Sequence, residues 1–160
     1  MIKFNKLKPD AQIPTRTSAG SAGYDLHIYE DVIFYPGEYK LLSTHISVDM
    51  PDNIHMQLYA RSSLYSKRGF EIPNAPGIID SDYTEAIFIP LVNRNNIPMT
   101  LKKGDRVAQG IFLPYVLTAD DNATGDTYRP IVTILKVKKG LPTVIKVSGQ
   151  EYILRHKDQY

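Results

Sequence analysis

At 160 residues the chain has the length of one domain, enough to bury about two-thirds of the surface that its unfolded form exposes. Nineteen basic against seventeen acidic residues leave a net charge of +2, which argues against nucleic acid or an anionic membrane as a partner. With no cysteine there is neither a disulfide nor a thiolate metal site. Residues 1–8 lack the apolar centre of a signal peptide, and no run approaches the roughly eighteen apolar residues of a membrane span. A soluble, cytoplasmic or otherwise intracellular protein is the expectation.

In chain order the hydrophobic period is two. It predicts strands over residues 2–7, 23–28, 32–34, 39–48, 54–60, 86–92, 99–101, 107–115, 131–137 and 143–147. Ten glycines and eleven prolines supply the turns between them. The only predicted helix is a short one over 62–67, with Ser62 as its cap. Many short strands at this spacing point to an all-β sandwich, barrel or jelly roll. The acidic, turn-rich run Asp120-Asp121-Asn122-Ala123-Thr124-Gly125-Asp126 divides a β core, residues 1–118, from a tail of the same domain, residues 119–160. That tail reads as a loop, a hairpin around Lys138-Lys139-Gly140 and a terminal strand.

Four stretches carry residue types suited to chemistry. Ser21-Ala22-Gly23-Tyr24-Asp25-Leu26 leads small residues into a strand bearing one carboxylate. In Ala60-Arg61-Ser62-Ser63-Leu64 a guanidinium and hydroxyls stand at a helix start, a fitting cradle for phosphate and equally an ordinary capped helix. Pro73-Asn74-Ala75-Pro76-Gly77-Ile78-Ile79-Asp80-Ser81-Asp82-Tyr83 reads as a hairpin with a constrained tip. In an extended chain its two carboxylates share one face and Tyr83 points away, so Asp80 is a candidate general base; the alternative is a strand end whose Asp residues close a turn. Leu101-Lys102-Lys103-Gly104-Asp105-Arg106-Val107-Ala108-Gln109-Gly110 places a tight turn at Gly104-Asp105 before a strand carrying Gln109.

In this order and spacing, the four resemble the first four motifs of the trimeric dUTP pyrophosphatases (dUTPases), over roughly residues 10 to 115. The resemblance implies a jelly-roll-like β-clip subunit with one short helix, here with a C-terminal β-hairpin extension. It also implies a homotrimer with sites at subunit contacts, and magnesium-dependent hydrolysis of dUTP to dUMP and pyrophosphate. By the same resemblance Asp80 is the base that activates water against the α-phosphorus. Tyr83 packs on the deoxyribose, and Asn74 with the backbone from Ala75 through Gly77 to Ile79 reads uracil. Arg61, Ser62, Ser63 and Gln109 contact phosphates, and Asp25 reaches Mg2+ through water.

The chain departs from the family pattern in two places. Glu85 stands where the family has glycine, and either crowds the hairpin or faces solvent. The Arg- and Gly-rich closing segment with Phe and Ser is missing, and Arg129, Lys138, Lys139 or Arg155 are candidates to replace its charge. A divergent tail on compact motifs suits a viral or phage enzyme. Two rival readings follow. The related dCTP deaminases share Arg-Ser-Ser-Leu but need a glutamate base where this chain has Pro90, which moves no proton. A dUTPase-like nucleotide-binding or protein-interaction module, weakened in catalysis, is the second.

Overall fold

The computed structural model describes residues 1–124 and the strand backbones 132–138, 141–147 and 150–153. The chain divides into two compact units, Met1–Thr127 and Tyr128–Tyr160. In the first, strands β1 (Lys3–Lys6), β2 (Tyr24–His27), β3 (Val32–Phe34), β4 (Tyr39–Ser43), β5 (Ile46–Asp49) and β6 (Ile54–Ala60) precede helix α1 (Ser62–Arg68). Strands β7 (Phe70–Glu71), β8 (Gly77–Ile79), β9 (Phe88–Asn93), β10 (Met99–Leu101) and β11 (Arg106–Pro114) follow it. The order β2-β11-β6-β8 forms a four-stranded sheet and β4-β9-β7 a three-stranded one, while β1-β5 and β10-β3 pair as ribbons. This is an all-β, jelly-roll-like fold with one short helix.

The second unit is a three-stranded antiparallel sheet of β12 (Val132–Lys138), β13 (Leu141–Val147) and β14 (Gln150–Ile153). Lys138 is in register with Leu141, so the expected hairpin is present. Arg129, Lys139 and Arg155 lie outside the described residues.

Alternation sets the core. Met56 and Leu58 of β6 point inward and are buried, while His55, Gln57 and Tyr59 between them are half-buried on the other face. Met56 and Leu58 join Leu26, Phe34, Phe70, Ile87, Ile89 and Leu91, the two phenylalanine rings meeting edge-on at 5.0 Å. Each such side chain contributes about 1.5–3 kcal/mol on burial.

Two local expectations are corrected. The single strand over 39–48 is broken at Thr44 and His45. The buried Thr44 hydroxyl donates to the Ile87 carbonyl at 2.8 Å and accepts the Ile46 N–H at 3.1 Å, and His45 adopts φ 51°. A side chain has taken over ladder bonds, and the chain leaves the β4-β9-β7 sheet for the β1-β5 ribbon. Ser62 is not the helix cap either. Arg61 is the capping residue, with extended backbone and no side-chain cap bond, and Ser62 is the first helical residue. At the other end Gly69, with φ 67°, closes the helix by donating its N–H to the Tyr65 carbonyl.

Candidate functional site

Three of the motif residues converge at one end of the four-stranded sheet. Gln109 of β11 stands opposite Asp25 of β2 on one side and Tyr59 of β6 on the other. Its amide donates to the Ala60 carbonyl at 3.1 Å. Gly23 leaves room for this side chain: a Cβ there would lie 2.2 Å from the Gln109 amide oxygen and would displace the amide. Asp25 is buried, 6% exposed, and both of its oxygens are engaged. Arg61 Nε reaches Oδ1 at 2.8 Å, while Arg106 Nη1 and the Thr17 hydroxyl each reach Oδ2 at 3.1 Å.

One carboxylate thus faces two guanidiniums, and this end of the sheet carries net positive charge. A guanidinium engaged at Nε keeps Nη donors for an anion, so the arrangement suits a polyphosphate. Arg106 and Thr17 escaped the sequence reading: the pairing of Arg106 with Asp25 exists only through the β2–β11 register. Ser62 and Ser63 open the helix beside Arg61. The predicted tight turn that launches β11 is present: Gly104 has φ 87°, and Asp105 donates its N–H to the Lys102 carbonyl.

The donor set bears on magnesium. Among the described residues no cluster of three His, Asp or Glu side chains is placed to hold an ion. Asp25 alone, already neutralised by arginines, fits only a cation that arrives on phosphate oxygens with its own waters.

The stretch over residues 73–83 is not the simple hairpin expected, since β7 pairs with β9 while β8 pairs with β6. Ala75 donates to the Ile72 carbonyl across a turn, and the Ala75-Pro76 peptide is cis. Gly77 does not use a positive φ; a Cβ there would sit within van der Waals reach of Leu58 and Asn74. Between β8 and the outer faces of β4 and β9 lies a cleft of about 250 Å³. Asn74, Gly77 and Ile79 line it on one side, and Tyr39, Leu41 and Phe88 on the other.

Asp80 and Asp82 do not share an extended face. Tyr83 donates its N–H to the Asp80 carbonyl at 3.1 Å, closing a turn directly after β8, and the Tyr83 hydroxyl donates to the Ala86 carbonyl at 2.7 Å. Three turn-forming residues in four, Asp80, Ser81 and Asp82, outweigh the β-branched pair before them. Asp80 is exposed and borders a second cavity, of about 200 Å³, with His55, Ile78 and Tyr115. The sequence reading gave His55 and Tyr115 no such place. Glu85 is exposed, the solvent-facing alternative of the two.

The register separates these two groups within one chain. Ile79 pairs with Met56, which brings Asp80 level with His55, whereas Arg61 lies just past the opposite end of β6. Six residues of strand span roughly 20 Å.

One histidine beside the arginine pair titrates abnormally. Burial holds His27 below the ordinary imidazole range, Asp25 opposes this, and Arg106 and Arg61 reinforce it. Its Nδ1 is buried without a hydrogen-bond partner. Because the folded value is the lower one, its contribution to stability is complete above about pH 6.5 and is lost as pH falls through that lowered value. The urea midpoint therefore falls on acidification from about pH 7 toward 5, and His27→Asn flattens the slope. Asp10 acts in another window. Lys103 and then Tyr29 hold it down at about 2, so its contribution erodes only well below pH 4.

Comparison with known proteins gives one answer. A family model described as dUTPase matches residues 9–130. The deoxyuridine 5'-triphosphate nucleotidohydrolase of Nautilia profundicola is 40% identical over 115 residues, which span 72% of this chain and 81% of that protein. Its counterpart from Treponema denticola is 39% identical over 113 residues, 69% of this chain and 78% of that one. Among solved structures, the dUTPase from Streptococcus mutans superposes with a TM-score of 0.68 at 32% identity, covering 72% of this chain and 97% of that one. A variant of the dUTPase from phage phi11 of S. aureus, described with a structural Mg(II) ion, superposes at 0.70. At 21% identity, over 78% of this chain and 97% of that one, it speaks to the fold alone.

Proposed function

The chain belongs to the dUTPase family, and on that premise we propose that it hydrolyses dUTP to dUMP and pyrophosphate at a site shared between copies of itself. One observation supports the shared site: Arg61, just past the far end of β6, stands roughly 20 Å of strand from Asp80, and Gln109, opposite Tyr59, roughly 13 Å. A water attacking the α-phosphorus must touch both, so a second chain has to supply one of them. A homotrimer with sites at its subunit contacts meets that requirement, and the two rows of residues then face each other across an interface.

In this reading Asp80 accepts a proton from water as the new O–Pα bond forms and the bond from Pα to the bridging oxygen breaks, pyrophosphate leaving with that oxygen. Arg61, held at Nε by Asp25, presents its remaining donors to the phosphates, joined by the Ser62 and Ser63 hydroxyls and the Gln109 amide. Asn74 and the backbone through Gly77 and Ile79 read the uracil edge, and the Tyr83 ring packs on the deoxyribose. Asp25, acting through water, would be the residue of this chain toward a Mg2+ carried on the substrate, which when bound would supply neutralisation of the charge developing on the pyrophosphate. Retention of Asp80, Tyr83 and Arg61 together disfavours a binding module without turnover. No helix among the described residues is long and apolar enough to cross a membrane.

Pyrophosphate release from dUTP, dCTP, dTTP and UTP, each with Mg2+ and with a chelator, tests the proposal. The expected result is turnover of dUTP alone, abolished by the chelator. Binding of dUTP without release refutes it.

A further inference from the structure

The outer face of β6 carries a connected row of polar side chains. His55, Gln57 and Tyr59 share that face by strand alternation, while Met56 and Leu58 go to the core. The Tyr59 hydroxyl donates to Gln57 Oε1, and Gln57 Nε2 stands 3.0 Å from His55 Nε2. This order leaves one consistent placement of the protons. A glutamine whose oxygen accepts from a tyrosine presents its NH2 group to the histidine, and an NH2 group only donates. His55 Nε2 is therefore the acceptor, and the ring proton sits on Nδ1. Tyr115 packs edge-on against the same ring, with centroids 5.7 Å apart, and its own hydroxyl donates to the Asp52 carbonyl. The His55 Nδ1–H is thus a fixed donor, buried, with no acceptor among the described residues. Buried donors in native proteins are almost always paired, because an unpaired one is costly.

We propose that His55 is a positioning residue for Asp80: with the nucleotide bound, its Nδ1–H donates to the Asp80 carboxylate and aims it at the attacking water. The inference rests on the reading above, in which Asp80 is the base. His55 and Asp80 border the same cavity of about 200 Å³, with Ile78 and Tyr115 as its other walls. The pairing of Ile79 with Met56 sets the two residues level across β6 and β8. Ile78 has no polar side-chain atom and the Tyr115 hydroxyl is turned to Asp52, which leaves the Asp80 carboxylate as the acceptor of that cavity. Asp80 is exposed and follows β8, so its side chain can turn toward the ring without disturbing the core. One oxygen engaged by Nδ1–H leaves the other for the water, and a carboxylate held in place loses less freedom on reaching the reactive geometry. Gln57 and Tyr59 act one step further back. They keep the proton on Nδ1, because the partner of one ring nitrogen decides which nitrogen carries the proton.

The experiment measures kcat and KM for dUTP in the full chain with His55→Asn, His55→Gln and His55→Ala, each alone and combined with Asp80→Asn, with a thermal melt for every variant. Asparagine carries its amide nitrogen where histidine has Nδ1, and glutamine where it has Nε2. His55→Ala and His55→Gln are expected to lower kcat about ten- to a hundredfold with KM little changed, the scale of removing a partner that orients a functional side chain. His55→Asn is expected to recover most of that loss. The losses at the two positions are expected to be non-additive, so that His55→Ala lowers the residual turnover of Asp80→Asn no further. A loss in KM rather than kcat, equal activity in the Asn and Gln variants, or additive losses in the double variant each overturn the inference. Proton–nitrogen correlation spectra of the imidazoles give a readout that needs no turnover, the His55 signals being those absent from His55→Asn. They are expected to show the proton on Nδ1, and a shift of that nitrogen when a non-hydrolysable dUTP analogue is added to the unaltered chain but not to Asp80→Asn. A proton on Nε2, or a shift that survives Asp80→Asn, also overturns it. Absence of hydrolysis in the unaltered chain therefore counts against the proposed function, while the spectra still decide this one.

Discussion

Replacing Asp80 with asparagine lowers kcat for dUTP at least about a hundredfold while leaving nucleotide binding largely intact, as expected for loss of a general base. The substitution keeps size and polarity and removes only the ability to take a proton. Asp80 is exposed and follows β8 rather than filling the core, so the fold should tolerate the change, which a thermal melt would verify. Two neighbours sharpen the result. Asp82 sits in the same turn but does not border the cavity beside Asp80, so Asp82→Asn is the matched comparison and should cost far less. His55 does border that cavity, with a buried Nδ1 that has no hydrogen-bond partner. Near-normal turnover in Asp80→Asn would move the role of base to His55, and a pH–rate profile with an imidazole limb would then be its signature.

Most strands could be read from the sequence because their determinants are local. The alternation in β6 and β11 places Met56, Leu58, Ala108 and Gly110 inward whatever the neighbours are. The break at Thr44 could not be read, because no glycine or proline marks it within residues 39–48 and the deciding contact is with Ile87, forty-three residues away. Ser62 looked like a cap by residue type, yet the extended backbone falls one residue earlier, at Arg61, whose side chain is drawn off to Asp25. Asp80 and Asp82 were misplaced for a different reason. The β-branched residues before them argued for a continuing strand, and a turn bond from Tyr83 ended it. Motif residues were recognisable by type and spacing. What they touch depends on register, a property of two strands at once, which is why the arginine pair around Asp25 and the wall opposite Asn74 became visible only in the fold.

That same dependence on register makes the shared site testable without a structure of the assembly. Asp80→Asn and Arg61→Gln each disable one half of the site, and each assembly made of a single variant should fall on the order of a hundredfold or more in turnover. Co-express the two with different tags and purify only assemblies carrying both. If Asp80 and Arg61 of one chain served one site, every site would contain a lesion and activity would stay at background. If each site takes Asp80 from one chain and Arg61 from the next around a ring, the outcome differs. A trimer with one copy of either variant and two of the other has a single junction where both groups are intact. Such mixed trimers should recover about one third of the unaltered turnover per trimer, whichever variant is in the majority. Arg61→Gln leaves Arg106 to pair with Asp25, so the buried carboxylate keeps a cation and the sheet end keeps its shape. Background activity in the mixed assemblies, with both variants folded and associated, would sink the shared site. It would also require the chain to bring residues at opposite ends of β6 together by itself, against the register that holds them apart.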